Sequence, residues 1–396
     1  MRMTTRPMLE GITVLDLASV GPAARTSRWL ADYGARVVKV GPPPKHGRAQ
    51  ITPPFYAYAG HRGVERVLLD LKTPAGVETF LRLAATADVV IESFRPGVVG
   101  RLGIGADAVH AVNPAAIYCS TSGYGQTGPR SQWAGHDLNY LAVGGYLDCS
   151  GRAGDGGPAL PGATVADSAG GGMQAVIAIL AALVARATTG DGATLDVSIA
   201  DGVVALMSLN VDEYLATGDV PGPRHSLLTG RYACYDVYPC GDGKWVAVGA
   251  IEPHFFANLC RALGCEQWSA HQNDDAVQDE IRADFRAAFA AKSRDEWVME
   301  LGPADTCVSA VATVPEVTTD EHFRARHGFV NATRADGPDF EQVGWTLAGA
   351  DRVQPAPAVR EPPFNDTDAV LRAAGFSPAE IATLAETGAI ASEEES

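Results

Sequence analysis

The stretch Thr13-Val-Leu-Asp-Leu17, together with its counterpart Arg36-Val-Val-Lys-Val40, decides the fold. Both runs are rich in apolar and β-branched side chains, which favour short buried strands. Residues 23–33, which lie between the two runs, have a helical pattern. A strand, a helix and a second strand in this order are typical of parallel strands joined by a crossover helix. The sequence therefore predicts an α/β fold from its first forty residues.

The same alternation continues along the chain. Further strands are predicted at residues 67–71, 88–91, 116–120 and 193–199, and helices at residues 74–85, 169–186 and 201–214. Alternating strands and helices of this kind are expected to form a parallel sheet covered by helices on both faces. We therefore expect a large Rossmann-like domain built on a parallel sheet.

The pattern changes after Thr217-Gly-Asp-Val-Pro-Gly-Pro-Arg224, which is dense in residues that interrupt regular structure. Residues 237–250 predict a hairpin that turns at Gly241-Asp-Gly243, and helices follow at 253–263, 277–291 and 294–300. We predict a large ligand-binding domain in residues 1–216, a linker in 217–232 and a smaller α+β domain in 233–330. Residues 331–396 are expected to return to the large domain and to end in two helices.

Composition excludes several classes of function. The formal net charge of −16 argues against non-specific binding to nucleic acid or to an anionic membrane surface. The longest apolar run, residues 175–185, is too short to span a bilayer, and the N-terminus lacks an apolar signal core. Seven scattered cysteines without a CxxC pair do not predict a zinc site or a disulfide framework. We expect a cytoplasmic protein without a bound metal.

One motif imitates a nucleotide-binding loop. Gly123-Tyr-Gly-Gln-Thr-Gly128 has the spacing of the dinucleotide fingerprint and follows a predicted strand. That fingerprint also needs a helix that starts within it and an acidic residue about 20 positions further on. Here Pro129-Arg-Ser-Gln-Trp133 follows, and no acidic residue ends a second strand at that distance. We interpret the motif as a glycine-rich loop and not as a nicotinamide site.

Two stretches carry side chains suited to proton transfer. Gly135-His-Asp-Leu-Asn-Tyr140 offers the imidazole of His136 beside Asp137, and Asp167 stands at the start of a long apolar helix. Taken alone, a residue such as His136 is more often a structural or surface histidine than a base, and Asp167 is more often a helix-capping aspartate than a catalytic group. The open question is whether these side chains face one substrate.

Three glycines follow Asp167, at positions 170–172, and weaken the capping interpretation. Glycine inside a helix costs about 1 kcal/mol relative to alanine, so something must need a bare backbone there. We expect exposed amide groups that approach a carbonyl and stabilise an enolate oxygen. Glu252, in Gly249-Ala-Ile-Glu-Pro253, either complements the dipole of the following helix or orients the imidazole of His136.

Basic residues gather in the first domain of this acidic protein, at positions Arg62, Arg66, Lys72, Arg95 and Arg101. They are either scattered solvated charges or the partners of a phosphorylated ligand. The second interpretation rests on Lys72 and Arg95, because both lie near predicted strand or helix ends, where phosphates bind, and the residues alone leave the two interpretations equally open.

Six motifs occur in an order that resembles the family III CoA-transferases, and within them the branch of α-methylacyl-CoA racemases. The motifs are Val67-Leu-Leu-Asp-Leu-Lys-Thr73, Glu92-Ser-Phe-Arg-Pro-Gly-Val98, Gly123-Tyr-Gly-Gln-Thr-Gly-Pro129, Gly135-His-Asp-Leu-Asn-Tyr140, Ala166-Asp-Ser-Ala-Gly-Gly-Gly172 and Gly249-Ala-Ile-Glu-Pro253. The resemblance extends from about Leu9 to the C-terminus. It implies an interlocked homodimer, an acyl-CoA thioester substrate held mostly by the large domain, and an active site completed by the small domain of the partner.

The resemblance also implies roles for single residues. By position, His136 and Asp167 resemble the two acid–base residues of the racemases, with Glu252 holding His136 and with Asp137 close by. The residues expected to contact CoA are Leu69, Leu71, Lys72, Arg95, Arg101, Arg62 and Tyr140. The chain departs from the family pattern at Gly41-Pro-Pro-Pro44, where one CoA contact is in doubt and Lys45 or Arg48 could replace it.

The racemase interpretation implies inversion at C2 of a 2-methylacyl-CoA through an enolate, with CoA as part of the substrate and no separate cofactor. The alternative within the family is transfer of CoA between carboxylic acids, in which Asp167 would be the nucleophile and form a mixed anhydride. Transferases of this family typically carry a glycine run in a small-domain loop, and His225-Ser-Leu-Leu-Thr-Gly-Arg-Tyr232 lacks one. This difference favours the racemase, and a non-catalytic acyl-CoA-binding protein is disfavoured because every matched acid and base is present.

Overall fold

The computed structural model describes residues 7–18, 21–43, 62–334, 339–345, 357–359 and 365–391. The chain divides into two compact units. The larger unit contains Met1–Gly144, Pro161–Ser208 and Glu321–Ser396, and the smaller unit contains Gly145–Leu160 and Leu209–Asp320. This division by packing differs from the sequence boundaries at 216 and 330, because residues 145–160 and 209–216 group with the smaller unit and residues 321–330 with the larger.

Six parallel strands form the main sheet of the larger unit, in the order β3-β2-β1-β4-β5-β6. They are β1 (Thr13–Asp16), β2 (Arg36–Gly41), β3 (Val64–Leu68), β4 (Val89–Glu92), β5 (Ile117–Ser122) and β6 (Ala193–Ser198). The predicted parallel α/β architecture is confirmed. The strand order reverses between β1 and β4, and the carboxyl ends of strands beside such a reversal are where ligands bind in open α/β sheets.

The helices of the chain follow in order. They are α1 (Gly21–Asp32), α2 (Pro74–Ala84), α3 (Val98–Leu102), α4 (Ala106–Val112), α5 (Asp137–Val143), α6 (Tyr146–Cys149), α7 (Gln174–Thr189), α8 (Ile199–Leu206), α9 (Ser208–Thr217), α10 (Pro253–Ala262), α11 (Gln278–Phe289), α12 (Arg294–Leu301), α13 (Val314–Thr319), α14 (Glu321–Ala325), α15 (Thr367–Ala373) and α16 (Pro378–Glu386). The single helix predicted for residues 201–214 is two helices, α8 and α9, separated at Met207.

Both faces of the parallel sheet are buried, which explains why its strands read as nearly continuous apolar runs. Leu15 on β1 belongs to a cluster with Phe80 of α2 and Leu371 of α15. Its neighbour Val14 points to the opposite face, into a cluster with Leu30 of α1. Alternate residues of one strand therefore pack under different helix layers, as the period of two along a strand requires.

The third strand lies three residues earlier than the sequence predicts, at Val64–Leu68 and not at 67–71. The Leu69 amide still donates to the carbonyl oxygen of Gly41 at 2.8 Å, and Leu69 forms an isolated bridge with Ile390. The chain then turns, with the Thr73 amide donating to the Asp70 carbonyl oxygen at 3.0 Å. The apolar alternation of Leu69 and Leu71 misled the prediction, because it continues beyond the strand into the turn before α2.

A π-helix, Ala166–Met173, leads directly into α7, so that one continuous helix runs from Ala166 to Thr189. By length and composition alone this helix could cross a membrane. The exclusion based on residues 175–185 therefore does not hold for the whole helix. Within the larger unit its buried side, which includes Ala175 and Ile179, packs in the apolar cluster beneath β1 and β4.

The smaller unit is built on the antiparallel strands β7 (Tyr235–Pro239), β8 (Trp245–Gly249) and β9 (Val308–Ala310). The predicted hairpin is confirmed, and Gly243, with φ of +77°, provides the left-handed conformation in its turn. Aromatic side chains of α10 and α11 cover the sheet. A second small sheet in the larger unit consists of β10 (Phe329–Arg334), β11 (Phe340–Val343) and β12 (Ala358–Val359).

Candidate active site

The two stretches that carry His136 and Asp167 meet in the larger unit. The backbone amide of Asp167 donates to Oδ1 of Asp137 at 2.8 Å, which ties the start of the π-helix to the start of α5. His136 immediately precedes α5, and its amide donates to Oδ1 of Asn139 at 3.0 Å. One imidazole and two carboxyl groups are thereby gathered at one place, from segments thirty residues apart.

Asp167 is not a helix cap in this structure. The π-helix begins at Ala166, and the carboxyl group of Asp167 lies 3.5 Å from a guanidinium nitrogen of Arg25 on α1, with 18% of the side chain exposed. Burial raises the pKa of Asp167, as does the neighbouring Asp137, and the charges of Arg25 and His136 oppose this shift. A carboxyl group with a raised pKa is better matched to proton exchange near neutral pH than an ordinary aspartate.

The triple glycine packs against protein and does not present exposed amides. Gly170, Gly171 and Gly172 are all buried. A Cβ atom on Gly171 would lie 2.6 Å from Cβ of Pro22 in α1, and one on Gly170 would lie 3.0 Å from the carbonyl oxygen of Ile199 in α8. The expected enolate cradle at these glycines is therefore wrong, because the bare backbone serves the close approach of two helices.

Tyr140 is a buried support for the segment around His136. Its hydroxyl donates to the carbonyl oxygen of Gly135 at 2.6 Å, and its burial raises its pKa to about 12. Cβ atoms on Gly123 and Gly135 would lie 2.6 and 2.7 Å from the same ring carbon. The first glycine of the GxGxxG motif thus makes room for Tyr140, and no helix begins within residues 123–136, all of which the structure describes.

A cavity of about 350 Å³ lies at the carboxyl ends of β4 and β5. It is lined by both Arg95 and His136, together with Tyr140 and Ser122. Arg95 and His136 are exposed in the larger unit. The structure therefore places one residue expected to bind CoA in the same cavity as one of the two expected acid–base residues.

A larger cavity of about 840 Å³ lies along α2 and is lined by Leu71, Lys72 and Arg101. Most of the remaining wall is apolar, with Val77, Leu102 and Val112 among the lining residues. An apolar slot whose wall also carries the cations of Lys72, Arg82 and Arg101 suits a heteroaromatic base that carries phosphate groups. Leu69, by contrast, is 1% exposed in the core of the sheet, so its side chain does not face this cavity.

Arg62 occupies a position unsuited to the expected CoA contact. Its guanidinium is buried, makes two hydrogen bonds of 2.9 Å to the carboxylate of Asp32, and stacks on Trp345. Burial lowers the pKa of Arg62 to about 10, and the charge of Asp32 opposes that shift. We conclude that Arg62 holds α1 and the β11 segment together, because its donors are directed to protein acceptors.

The other residues named from the sequence are placed as follows. Glu252 belongs to the smaller unit, where it is exposed and precedes α10, and its contact with His136 stays a prediction. Lys45 and Arg48 lie outside the described residues. Arg25 was not expected at the site, because it belongs to no motif, and only the packing of α1 on the π-helix brings it to Asp167.

The chain is similar to known proteins along nearly its whole length. It is 34% identical to the alpha-methylacyl-CoA racemase of Homo sapiens over 95% of this chain and 96% of that protein. It is 32% identical to the succinyl-CoA–D-citramalate CoA-transferase of Chloroflexus aurantiacus, over 85% of each chain. Its structure superimposes on that of a CAIB/BAIF family protein from Brucella suis with a TM-score of 0.76 and 28% identity, over 92% of this chain and 98% of that one.

The family model described as CoA-transferase family III matches residues 9–366. A match over most of the chain, with relatives above 30% identity that align end to end, establishes the family. The protein belongs to CoA-transferase family III.

Proposed function

We propose that the protein is a racemase that inverts the C2 centre of 2-methylacyl-CoA thioesters. The observation that carries the proposal is the bond from the Asp167 amide to Asp137, which ties the segment of Asp167 to the segment of His136, close enough for the charge of His136 to act on the Asp167 carboxyl group. Inversion at C2 requires one group that removes the weakly acidic α-proton and another that returns a proton to the opposite face. His136 and Asp167 are two different groups that can exchange these roles with the direction of the reaction.

The triple glycine is buried against other helices, so a different hydrogen-bond donor must stabilise the enolate oxygen. The first-turn amides of a helix lack intrahelical acceptors and sit at its positive end. Helix α5 begins at Asp137, directly after His136. We assign the stabilisation of the thioester oxygen to the amides of Asp137 and Leu138 in the first turn of α5, because the Asn139 amide already donates to the carbonyl oxygen of His136 at 2.8 Å.

We place the CoA moiety across the two cavities of the larger unit. The apolar slot along α2 suits the adenine, with Lys72 and Arg101 toward the phosphates, and Arg95 lines the cavity that also holds His136. CoA is then part of the substrate and no separate cofactor takes part.

The CoA site is tested by replacing Lys72 and Arg101 with alanine. We expect each variant to weaken CoA binding roughly tenfold, because each removes one exposed ionic contact to phosphate, and the wild-type affinity to fall more steeply with salt. Calorimetry with free CoA at two salt concentrations measures both effects. Arg36→Ala is the control, since Arg36 pairs with Glu65 away from both cavities. Equal affinities in all four proteins would place CoA elsewhere.

The reaction is tested with a single-enantiomer 2-methylacyl-CoA in deuterated water. We expect deuterium at C2 together with loss of optical purity, both followed by mass spectrometry and chiral chromatography. An intact C2–H bond after prolonged incubation would exclude the racemase.

CoA transfer is the second candidate, since a transferase relative is 32% identical over 85% of the chain. In that reaction Asp167 would attack the thioester and form a mixed anhydride. A new CoA ester on addition of succinate or oxalate, with inactivation by hydroxylamine, would establish it. The loop at residues 225–232 lacks the glycine run that is typical of the transferases of this family, and this difference favours the racemase.

We further propose that the protein works as an interlocked homodimer in the cytoplasm. Met173, Ile177 and Val184 of the long helix are 49%, 59% and 72% exposed, and an exposed apolar face of this kind supports an interaction surface that a second copy would cover. The seven free thiols suit a reducing compartment. In the proposed dimer, Glu252 of one copy would orient His136 of the other.

A further inference from the structure

Arg25 reaches the candidate base from a different helix. Its Nη2 atom donates to Oγ1 of Thr164 at 2.7 Å, and its Nη1 atom lies 3.5 Å from Oδ2 of Asp167. The side chain of Arg25 is 28% exposed. The hydrogen bond to Thr164 fixes one side of the planar guanidinium, so the other side faces the carboxyl group of Asp167 in a defined orientation.

The approach of α1 that makes this contact possible depends on Gly172. A Cβ atom on Gly172 would lie 2.9 Å from the ring of Trp29 and 3.3 Å from Cβ of Arg25. Thr26, between these two residues, donates to the carbonyl oxygen of Gly172 at 3.2 Å. The glycine therefore brings the turn of α1 that carries Arg25 against the π-helix that carries Asp167.

The charges around Asp167 are unbalanced without Arg25. The start of α5 contributes the carboxyl of Asp137, the imidazole of His136 and the buried hydroxyl of Tyr140, and α1 contributes Arg25. Burial is the largest influence that raises the pKa of Asp167, and the charge of Arg25 is the largest that lowers it. Two carboxyl groups in one half-buried place favour protonation of one of them unless a cation lies close.

We propose that Arg25 is a positioning residue that orients the Asp167 carboxyl group and offsets the second negative charge brought by Asp137. The role rests on the proposed function, in which Asp167 exchanges the C2 proton. It implies that Arg25 keeps Asp167 ionised, and so able to accept a proton, at pH values where burial and Asp137 would otherwise leave it protonated. Arg25 itself does not touch the reacting atoms.

The inference is tested with Arg25→Gln and Arg25→Lys, and with Arg36→Gln as a control that removes an arginine paired with Glu65. The carboxyl carbon of Asp167 is followed by ¹³C NMR in protein labelled at aspartate, and its resonance is identified by its loss in Asp167→Asn. We expect the titration midpoint to move to higher pH in Arg25→Gln, to return toward the wild-type value in Arg25→Lys, and to stay unchanged in Arg36→Gln. Identical midpoints in wild type and Arg25→Gln would overturn the proposal.

The pH profile of C2 exchange gives a second measurement. We expect Arg25→Gln to lose activity on the order of tenfold on the acidic side and to recover as the pH rises, because the base is then ionised without help. An equal loss at every pH would show a purely structural effect and overturn the proposal. If the wild-type protein exchanges no C2 proton, the proposed function fails, yet the NMR titration still decides whether Arg25 controls the Asp167 carboxyl.

Discussion

Asp167→Asn is expected to slow C2 exchange by about a thousandfold or more, because general acid–base groups commonly contribute factors of 10² to 10⁴ and an amide cannot accept the α-proton. His136→Gln is expected to act in the same way, since each direction of the reaction needs both groups. Exchange of deuterium from each enantiomer, measured separately, shows which face each residue serves. Asp191→Asn, at an exposed loop position, is the matched control and should keep wild-type rates.

The loss in Asp167→Asn must be separated from damage to the fold. The pKa of Asp167 is raised in the folded protein, so the folded state binds the proton of this carboxyl group more tightly than the unfolded state does. The resulting stabilisation is fully present below the unfolded pKa and is lost as the pH rises through the folded pKa. Removing the charge should therefore leave the free energy of unfolding unchanged or higher at neutral pH. Denaturant unfolding at several pH values measures this. Full exchange activity in either Asp167→Asn or His136→Gln would refute the pair, and CoA affinity should stay at the wild-type value in both.

Most of the fold could be predicted from the sequence because its decisive signals are local. The strands around Leu15 and Val38 are short apolar runs followed by helical patterns, and the hairpin at Gly243 is marked by its turn residues. The third strand was misplaced since a buried leucine, Leu69, continues the apolar pattern beyond the last ladder pair. Periodicity locates an apolar segment, but where pairing stops depends on the neighbouring strand.

The site was only partly predictable for a related reason. His136, Asp137 and Asp167 carry chemistry in recognisable motifs, and the fold brings them together. Arg25 and Arg62 belong to no catalytic motif, and each pairs with an acid on an element remote in sequence. The local sequence therefore does not show that Arg25 lies beside Asp167 or that Arg62 is buried in an ion pair with Asp32. Glycine patterns are ambiguous in the same way, because a missing Cβ atom makes room equally for a ligand or for another helix.

The glycine interpretation leads to the prediction with the largest effect on stability. A Cβ atom on Gly202 of α8 would lie 1.9 Å from the carbonyl oxygen and 2.6 Å from the Cα atom of Gly170 in the π-helix. Both obstacles are backbone atoms, so no side-chain rotation can relieve the overlap, and the two helices must separate.

We expect Gly202→Ala to lose at least about 4 kcal/mol of unfolding free energy or to fail to accumulate as folded protein, measured by denaturant unfolding and by the soluble yield. Gly100→Ala in α3 is the matched control: it meets no atom within 4 Å, and alanine there should be neutral or stabilising by up to about 1 kcal/mol. If Gly202→Ala unfolded at the wild-type denaturant concentration, the packing of α8 on the π-helix would be wrong. The placement of Asp167 depends on that packing, so a partly folded Gly202→Ala protein should also lose C2 exchange before it loses affinity for CoA.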